Sequence, residues 1–414
     1  MNTTHQQIAV LRRLAKQYID VANQERYLHN AKLHRAVNDK AMIRPVVLVE
    51  ELPWHEMNID GMLTPVCEEG PLRAAEIHMR RILFRHKFFP ADMVVQPYIP
   101  VQKVIKDSGI GITVDEKVIA QTDGNHIVAH EYHDQLEEEA SLDKLHPAVI
   151  EYDKEQTLRN WQMVGDAIGD ILPVRLCGVG SLYTAVWDNI SFFRGVTPLL
   201  IDLIERPEYT HRMVKLLTYF EQERLRQYEE QGLLDAEQYS LHCTASFVSD
   251  LPGADYDGEK VTRKQIWGRG MAQILASVSK SMRDEFDIDY MLTTIGTCGL
   301  SYYGCCEPLD NMVDILSKLP NLRKIGVTPW ANKAALCEQI GKDYVVSSKP
   351  NPASVAVPML DKNNLRAELT EILTACKNNG CSCDIVLKDI STCLHRPENI
   401  FEWEQVAMEM ARSF

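Results

Sequence analysis

The chain has 414 residues, of which 45% are hydrophobic and 25% charged, and this composition is typical of a globular protein with a sizeable core. Its formal net charge of −14 argues against nucleic acid or an anionic membrane as partner, because both attract basic surfaces. No apolar run reaches the roughly 18 residues of a spanning helix, and residues 1–7 have no secretory-signal pattern. Eleven cysteines, an odd number, fit reduced thiols, so we expect a cytoplasmic protein.

The first forty residues are predicted to form a helical extension. Apolar residues recur at helical spacing over 6–39, with basic residues between them. We therefore divide the chain into an N-terminal helical extension, residues 1–40, and one main domain, residues 41–414. The apolar stripe of the extension needs a surface to cover it, which is one reason to expect a homodimer.

Eight short apolar runs in the main domain are predicted to be strands. They lie at 45–50, 93–96, 172–178, 238–242, 290–296, 322–327, 343–347 and 383–388. Helical patterns separate them, among others at 72–87, 155–168, 197–204, 207–231, 263–283, 331–340, 364–378 and 397–412. Alternating strands and helices favour parallel pairing, and eight units predict an α/β fold of the (β/α)8 TIM-barrel type, with an open doubly wound sheet as the alternative.

Residues 110–133 interrupt this alternation. The runs 112–114 and 127–130 alternate in polarity around Asp123-Gly124, which predicts a β-hairpin insertion. His130 and His133 superficially suggest a metal site. Because they lie beside a hairpin and not on a helix, we interpret them as part of a solvated insertion.

The stretch 299–310 is the strongest candidate for chemistry. It follows the predicted fifth strand, is rich in glycine, and contains the adjacent thiols Cys305 and Cys306 together with Glu307. Loops after the strands of α/β proteins carry the functional groups, and zinc accepts thiolate and carboxylate ligands. The alternative is a tight metal-free turn with one buried thiol. Cys381 and Cys383 precede the last strand, at the end of a barrel that serves stability, and are interpreted as structural.

The last third of the chain resembles the uroporphyrinogen decarboxylase superfamily. Four segments carry the resemblance: Tyr302-Tyr303-Gly304-Cys305-Cys306-Glu307, Ile325-Gly326-Val327-Thr328-Pro329-Trp330, Ser348-Lys349-Pro350-Asn351-Pro352 and Leu387-Lys388-Asp389. Arg44-Pro45-Val46 and Glu285-Phe286 add earlier support, so the resemblance covers about 40–414 and is specific after about 260. It implies a (β/α)8 barrel with its cleft at the carboxyl ends of the strands, and often a homodimer.

Two branches of this superfamily differ in chemistry. True uroporphyrinogen decarboxylases hold a polycarboxylated substrate with arginines and an aspartate near the first two strands. This chain has Glu50, Glu51 and Trp54 after the first strand and Gln96-Pro97-Tyr98 after the second. The other branch resembles corrinoid-dependent methyltransferases, whose barrels hold zinc through thiolates plus a His or carboxylate. Here the thiol after the fifth strand is kept, and the family's neighbouring His is absent.

The resemblance and the residue chemistry together give a set of candidate site residues. The metal candidates are Cys306, Cys305, Glu285 and Glu307, with His242, which precedes Cys243, ranked behind them. The catalytic candidates are Lys388, Asp389 and Glu307, which are able to hold an anion or transfer a proton. The substrate-binding candidates are Glu50, Trp54, Tyr98, Trp187, Trp267, Tyr303, Trp330, Lys349 and Asn351. Each aromatic residue has core packing as its alternative role. Lys388 and Asp389 could instead form an ion pair, and residues 349–351 could serve only to turn the chain.

These observations predict a methyltransferase that moves a methyl group from a small methoxylated or methylated donor to a corrinoid protein. Zinc is the expected resident metal, and the corrinoid is expected on a separate protein because no corrinoid-binding sequence is visible in the chain. A decarboxylase of the uroporphyrinogen type is the alternative enzyme. A barrel that binds a tetrapyrrole or a corrinoid protein without turnover is the non-catalytic alternative.

Overall fold

The computed structural model describes residues 3–119, 128–237 and 239–414. The α-helices are α1 (Thr3–Ala22), α2 (Glu25–Asn38), α3 (Pro71–Phe88), α4 (Lys154–Ile168), α5 (Val186–Arg194), α6 (Val196–Glu205), α7 (Pro207–Glu230), α8 (Lys280–Arg283), α9 (Asp289–Met291), α10 (Val313–Leu316), α11 (Lys333–Ile340), α12 (Lys362–Asn379) and α13 (Glu398–Arg412). The strands are β1 (Val46–Val49), β2 (Ile99–Gln102), β3 (Ile105–Asp107), β4 (Glu116–Ile119), β5 (Ala129–Tyr132), β6 (Ile150–Tyr152), β7 (Val174–Cys177), β8 (Ser181–Thr184), β9 (Ser240–Leu241), β10 (Thr244–Ala245), β11 (Trp267–Gly270), β12 (Leu300–Tyr303), β13 (Leu322–Val327), β14 (Val345–Ser348) and β15 (Cys383–Leu387).

A seven-stranded sheet forms the centre of the molecule. Its strand order is β1-β15-β14-β13-β12-β11-β8, and every pair in it is parallel. The first and last strands of the sheet in sequence are therefore neighbours, with Val46 opposite Asp384. This confirms the predicted α/β class with parallel pairing. The ladders of the described residues do not join β8 to β1.

The carboxyl-terminal part follows the predicted alternation closely. Strands β13, β14 and β15 and helices α11, α12 and α13 begin and end within a few residues of the predicted bounds. All five residues of β15 and all four of β14 are buried, as is typical of parallel strands, because their crossover connections place helices over the faces of the sheet. Asp361 caps the start of α12 by accepting from the backbone N–H groups of Asn363 and Asn364, and Gly380 ends this helix in the left-handed region.

The predicted helix over 6–39 is two helices. A break at Asn23 and Gln24 separates α1 from α2. Leu11 and Tyr18 of α1 pack in one apolar cluster with Met79 of α3. Leu33 and Val37 of α2 instead pack against strand residues of the sheet. The apolar stripe of the extension thus covers parts of the same chain.

Four of the predicted strands need correction. Residues 93–96 have no ladder partner among the described residues, and the strand of that region is β2, which pairs with β7. The predicted third strand, 172–178, contains β7, which pairs with β2 outside the central sheet. After β1, the next strands of the central sheet along the chain are β8 and β11, and β11 lies inside the predicted helix 263–283. The predicted fifth strand, 290–296, is helical at both of its ends, and the strand is β12 within the predicted loop. Within the predicted fourth strand, 238–242, the described residues Ser240 and Leu241 form β9, which pairs with β10 in a short hairpin.

The region of the predicted insertion contains an antiparallel hairpin of β4 and β5, and its first strand is β4 instead of the predicted run 112–114. The Asp123-Gly124 turn predicted between its strands lies outside the described residues. His130 pairs with Glu116 at 2.8 Å and His133 with Asp115 at 3.1 Å, both at the surface. No helix of the described ranges is long and apolar enough to cross a membrane.

Candidate functional site

The adjacent thiols Cys305 and Cys306 follow β12 directly. Gly304, between the strand and the thiols, has φ = 108°. A Cβ atom at this position would lie 2.8 Å from Leu309 and 3.2 Å from the backbone nitrogen of Gly326. Only glycine fits both the backbone conformation and the space, so this residue turns the chain and brings the thiols over the end of the sheet. Cys305 is buried, whereas Cys306 is exposed.

A buried lysine at the end of β15 lies against both thiols. The Nζ atom of Lys388 is 3.0 Å from Sγ of Cys305 and 3.5 Å from Sγ of Cys306, and the residue is 2% exposed. Lys388 also forms an ion pair with Asp389, whose Oδ2 atom accepts from the Cys306 thiol at 3.4 Å. Two of the three predicted catalytic residues, Lys388 and Asp389, therefore lie beside the thiols, although 83 residues separate Lys388 from Cys305.

The turn between β9 and β10 brings two further ligand-type side chains to the same place. Cys243 and His242 occupy this turn, and both contact Glu51, which follows β1. Oε1 of Glu51 is 3.1 Å from Nδ1 of His242 and accepts from the Cys243 thiol at 3.2 Å. Oε2 of Glu51 accepts from the backbone N–H of Asp389 at 3.2 Å. Glu51 thus links the turn to the end of β15.

Two overlapping groups in this site have the donors of a metal centre. His242, Cys243 and Cys305 form one, and Cys305, Cys306 and Asp389 form the other, and within each group the ligand atoms lie within 4.8 Å of one another. Zinc is bound by thiolate, imidazole and carboxylate ligands in close to tetrahedral geometry. The donor set fits a zinc ion with Cys305 as the ligand common to both groups.

The surroundings favour a thiolate on Cys305. Hydrogen bonds from the Cys243 and Cys306 thiols lower the pKa of Cys305, and His242 and the guanidinium of Arg269 act in the same direction, against the effect of burial. Because Cys243 and Cys306 donate these hydrogen bonds to Cys305, the same bonds, together with burial, raise the pKa values of Cys243 and Cys306. A deprotonated thiol is the form that binds metals and acts as nucleophile.

The two carboxylates of the site differ in acidity. Burial and the hydrogen bond with Asp389 raise the pKa of Glu51. Against the effect of burial, hydrogen bonding to Glu51 and Lys388 lowers the pKa of Asp389. Glu51 is therefore the group of this pair that more readily holds a proton.

Three residues of the site have a left-handed backbone conformation without being glycine. The φ angles are 50° at Glu51, 65° at Cys243 and 55° at Asp389. Such conformations are costly for residues with a side chain and cluster at functional sites. Three of them within one contact network indicate that the surrounding structure holds these side chains in place.

Two predicted metal ligands are not part of either ligand group, and the predicted ligand set is corrected accordingly. Oε1 of Glu285 lies 3.0 Å from Nε2 of His211, at the surface. Glu307 is buried and its carboxylate accepts from the backbone N–H groups of Cys305, at 2.9 Å, and Ala272, at 3.1 Å. Glu307 therefore shapes the thiol loop through backbone contacts, which also removes the geometric basis for its predicted catalytic role.

Three of the predicted substrate-binding aromatics are core residues. Trp187, Trp267 and Tyr303 are each at most 1% exposed. Their polar atoms bond within the protein: Trp187 donates to the Phe286 carbonyl, Trp267 donates to a loop carbonyl, and Tyr303 accepts from Arg283. Core packing, the alternative for these residues, is what the structure shows.

Four more of the predicted substrate-binding residues are either exposed or in contact with an arginine side chain: Trp330, Trp54, Tyr98 and Glu50. Trp330 is 68% exposed, and the guanidinium of Arg81 covers the ring of Trp54. Tyr98 lies under Arg175, and Glu50 pairs with Arg85 at 3.2 Å.

Lys349 and Asn351 have partners within the protein. Nζ of the buried Lys349 donates to the Cys243 carbonyl at 2.6 Å and to Oγ of Ser347 at 2.8 Å, and thus supports the turn between β9 and β10. Asn351 caps a short 3-10 helix, as expected of a conformational turn.

The same turn is tied to the sheet by a buried ion pair. Nζ of Lys324 lies 2.7 Å from Oδ2 of Asp384 and 2.9 Å from Oγ1 of Thr244, which itself donates to Asp384. Lys324 and Asp384 are each 1% exposed. This network fixes residues 244–245, and through them Cys243, above the strands β13 and β15.

Sequence reasoning ranked His242 low and did not include Cys243 or Glu51 in the site. A His-Cys dipeptide next to a weak strand prediction was the available signal. This signal was weak, because nothing in the sequence indicates that residues 242–243 lie beside a loop more than sixty positions away.

The fold and site together define an α/β protein with a parallel sheet and a thiol-rich site at the carboxyl ends of its strands. No known family pattern matches the chain, and no curated protein matches its sequence. Among solved structures, a methyltransferase from Methanosarcina mazei is similar, with a TM-score of 0.52 over 92% of this chain and 98% of that chain. The sequence identity is 12%, so this likeness concerns the fold.

Proposed function

We propose that the protein is a zinc-assisted methyltransferase that moves a methyl group from a small methylated donor to the cobalt of a separate corrinoid protein. The observation that carries the proposal is the convergence of Cys305, Cys243 and His242 at the carboxyl ends of parallel strands. The similarity in fold to a methyltransferase supports it. The proposal includes closure of the sheet into a (β/α)8 barrel, with residues 93–97 beside β1, where the Asp92 N–H donates to the Val47 carbonyl at 3.0 Å.

In this proposal His242, Cys243 and Cys305 hold the zinc ion, and Cys306 or Asp389 lies at the remaining position. A zinc ion in such a site acts as a Lewis acid on the heteroatom that loses its methyl group. Lys388 neutralises the negative charge that collects on the thiols, because its Nζ atom contacts both Cys305 and Cys306.

The proton for the leaving group comes from Glu51 in this proposal. If the partner supplies cobalt in the +1 state, whose electron pair would take up the methyl group, the bond between the methyl carbon and the heteroatom would break and its electron pair would remain on the heteroatom. The carboxyl group of Glu51 holds a proton more readily than Asp389 does and lies beside His242 and Cys243. Protonation at this position neutralises the leaving group.

The organisation of the molecule is part of the same proposal. Residues 1–40 form the helical extension and 41–414 the catalytic domain, and the active form is a homodimer. The corrinoid belongs to the partner protein, and the exposed Cys306 lies on the face that the partner approaches.

Metal analysis and a transfer assay test the proposal. We expect about one zinc per chain in the purified protein, and methylation of added cob(I)alamin from a panel of methoxylated and methylated compounds. Cys305→Ser and Cys243→Ser should lose zinc and at least a hundredfold in transfer rate. Cys177→Ser, at a thiol outside the site, is the matched control and should keep both.

The alternatives give different results in the same assays. A protein without zinc, or variants of Cys305 and Cys243 that keep full activity, would overturn the mechanism. Release of carbon dioxide from uroporphyrinogen would identify a decarboxylase. Binding of a corrinoid protein without methyl transfer from any donor would identify a non-catalytic barrel.

A further inference from the structure

An apolar cavity of about 360 Å³ lies between α5, α7 and residues 109–114, the segment that connects β3 to β4. Pockets that bind small molecules are typically about 300–1,000 Å³ in volume and mainly apolar, with a few polar groups. The lining does not include any of the described residues of the thiol site, so the cavity is a separate candidate binding site. Eight apolar side chains form most of its wall: Ile110, Ile112, Val114, Val186, Phe192, Phe193, Leu217 and Phe220.

The two helices contribute side chains to the wall at helical spacing. Leu217, Glu221 and Arg224 of α7 lie about one turn apart on a single face of that helix. Val186 and Asn189 form part of the wall that α5 contributes. Helix α7 therefore places two charged groups directly beside an apolar surface.

Residues 109–114 are held beside the helices by contacts of their own backbone. The carbonyl of Ile110 accepts from the backbone N–H of His146 at 3.1 Å. Gly111 has φ = 97°, and a Cβ atom there would lie 2.4 Å from the carbonyl oxygen of Lys144. This segment is thus fixed by residues 144–146. Because folded proteins are close-packed, apolar walls that are held apart in this way leave room for a ligand.

The charged end of the cavity has more negative than positive groups. Glu221 is 9% exposed and pairs with Arg224 at 2.6 Å, and Arg224 also pairs with Asp107 at 3.2 Å. Two carboxylates therefore share one guanidinium. Burial raises the pKa of the Glu221 carboxyl, against the effect of Arg224. A cationic group of a ligand would supply a second positive charge here, whereas an anionic group would add to the excess.

We propose that this cavity binds an amine with a bulky apolar body, whose ammonium group pairs with Glu221. The apolar body then lies against the side chains of α5, α7 and residues 109–114. An ammonium group donates charge-assisted hydrogen bonds to a carboxylate, which a hydroxyl group of the same shape does not. The site is separate from the thiols, and the inference does not depend on the proposed function.

Calorimetric titration of the purified protein with three naphthalene compounds tests the inference. The compounds share one apolar body and differ in their end group: 2-(1-naphthyl)ethylamine, 2-(1-naphthyl)ethanol and 3-(1-naphthyl)propanoate. We expect the amine to bind about tenfold more tightly than the alcohol or better, because its charge meets a largely buried carboxylate. The carboxylate compound should bind most weakly.

Variants of the lining separate the charged contact from the apolar one. Glu221→Gln should remove the preference for the amine, while the alcohol still binds. Glu223→Gln, which removes a partner of Arg226 on the same helix, is the matched control and should keep the preference. Leu217→Trp and Val114→Trp fill the cavity, and each should weaken binding of the amine about tenfold or more. Val114 is 38% exposed, so its replacement blocks the cavity without disturbing the core.

Several results would overturn the inference. These are equal affinities for the amine and the alcohol, an unchanged preference in Glu221→Gln, and undiminished binding to Val114→Trp. Cys305→Ser should bind the amine with unchanged affinity, and loss of binding in that variant would contradict a site separate from the thiols. None of these measurements requires zinc or a corrinoid protein, so their outcome is distinct from that of the transfer assay.

Discussion

Lys388 is a buried cation that contacts both thiols of the loop after β12. Its ammonium group is buried and lies within 3.5 Å of two sulfur atoms. Charge–charge attraction is stronger away from water, so the ammonium and the Cys305 thiolate stabilise each other. The presence of the thiols correspondingly raises the pKa of Lys388, against the effect of burial.

Replacing Lys388 with methionine should therefore raise the pKa of the Cys305 thiol. We expect a rise of about one pKa unit or more, because the thiolate then lacks a contacting ammonium group. The ultraviolet absorbance of the thiolate, followed as a function of pH, measures this change. Lys333→Met removes a lysine that pairs with Glu371 away from the site and should leave the titration unchanged. An unaltered titration in Lys388→Met would contradict the assignment.

Asp188 on α5 provides a pH-dependent contribution to stability. Burial and the nearby Glu307 carboxylate raise the pKa of Asp188 from 3.8 to about 6. The folded protein therefore binds this proton more strongly than the unfolded chain does. The stabilisation is fully present below pH 3.8 and is lost as the pH rises through about 6.

Asp188→Asn should remove this loss of stability. As the pH rises from 4 to 7, the free energy of unfolding of the variant should increase relative to that of the wild type by on the order of 2–3 kcal/mol. Urea denaturation at several pH values measures the difference between the two proteins. A difference that does not change with pH would show that Asp188 titrates normally in the fold.

At the scale of elements, the turn between β9 and β10 depends on the buried pair of Lys324 and Asp384. A single substitution in a buried pair leaves an uncompensated charge, whereas replacing both partners with apolar residues does not. Exposed ion pairs contribute much less, because water and salt screen them. The molecule contains both kinds, which permits a direct comparison.

Asp384→Asn should lower the free energy of unfolding by about 3–5 kcal/mol, since Lys324 then remains buried and unpaired. The double variant Lys324→Met/Asp384→Leu should recover at least half of that loss. Glu409→Gln, which removes an exposed partner of Arg366, should cost less than about 1 kcal/mol. Denaturant titration of the three proteins gives the values, and a double variant no more stable than Asp384→Asn would refute this account.

The elements that sequence patterns predict well are those in which local and tertiary preferences agree. Residues 322–412 alternate between fully buried strands and amphipathic helices, and both signals are visible in the sequence. Strand β11 is different, because Gly268 and Gly270 weaken any strand pattern. A Cβ atom at either position would lie 2.7 Å from Ile295, so these glycines allow a helical turn to pack against the strand.

The glycines around β12 misled the prediction for the same reason. Gly299 and Gly304 suggested a loop over 299–310, whereas they flank a strand whose four residues are all buried. A Cβ atom at Gly299 would lie 2.3 Å from the Lys264 carbonyl oxygen. Close approach of two segments determines these positions, and the sequence contains no local sign of it. Hence Cys305, Cys306, Lys388 and Asp389 were predictable, and the partners from residues 51 and 242–243 were not.

At the scale of the whole molecule, the site draws its residues from four distant parts of the chain. Segments near residues 51, 242, 305 and 389 meet at one end of the sheet, and β1 pairs with β15. Four basic side chains of this region, those of Lys324, Lys349, Lys388 and Arg269, are buried. The ion pairs of Lys324 with Asp384 and of Lys388 with Asp389 balance part of this positive charge within the site.

Because β1 pairs with β15, the last strand of the chain, the complete site forms only after the ribosome has synthesised that strand. Glu51 and Asp389 are 338 residues apart, and at about 5–20 residues per second a ribosome needs roughly 20–70 s to make the chain between them. During that interval β1 has no neighbour on its β15 side, and the thiols of Cys243 and Cys305 lack the ammonium of Lys388. The nascent chain thus carries the reactive groups before it carries the residues that hold them in place, and its last strand completes both the sheet and the site.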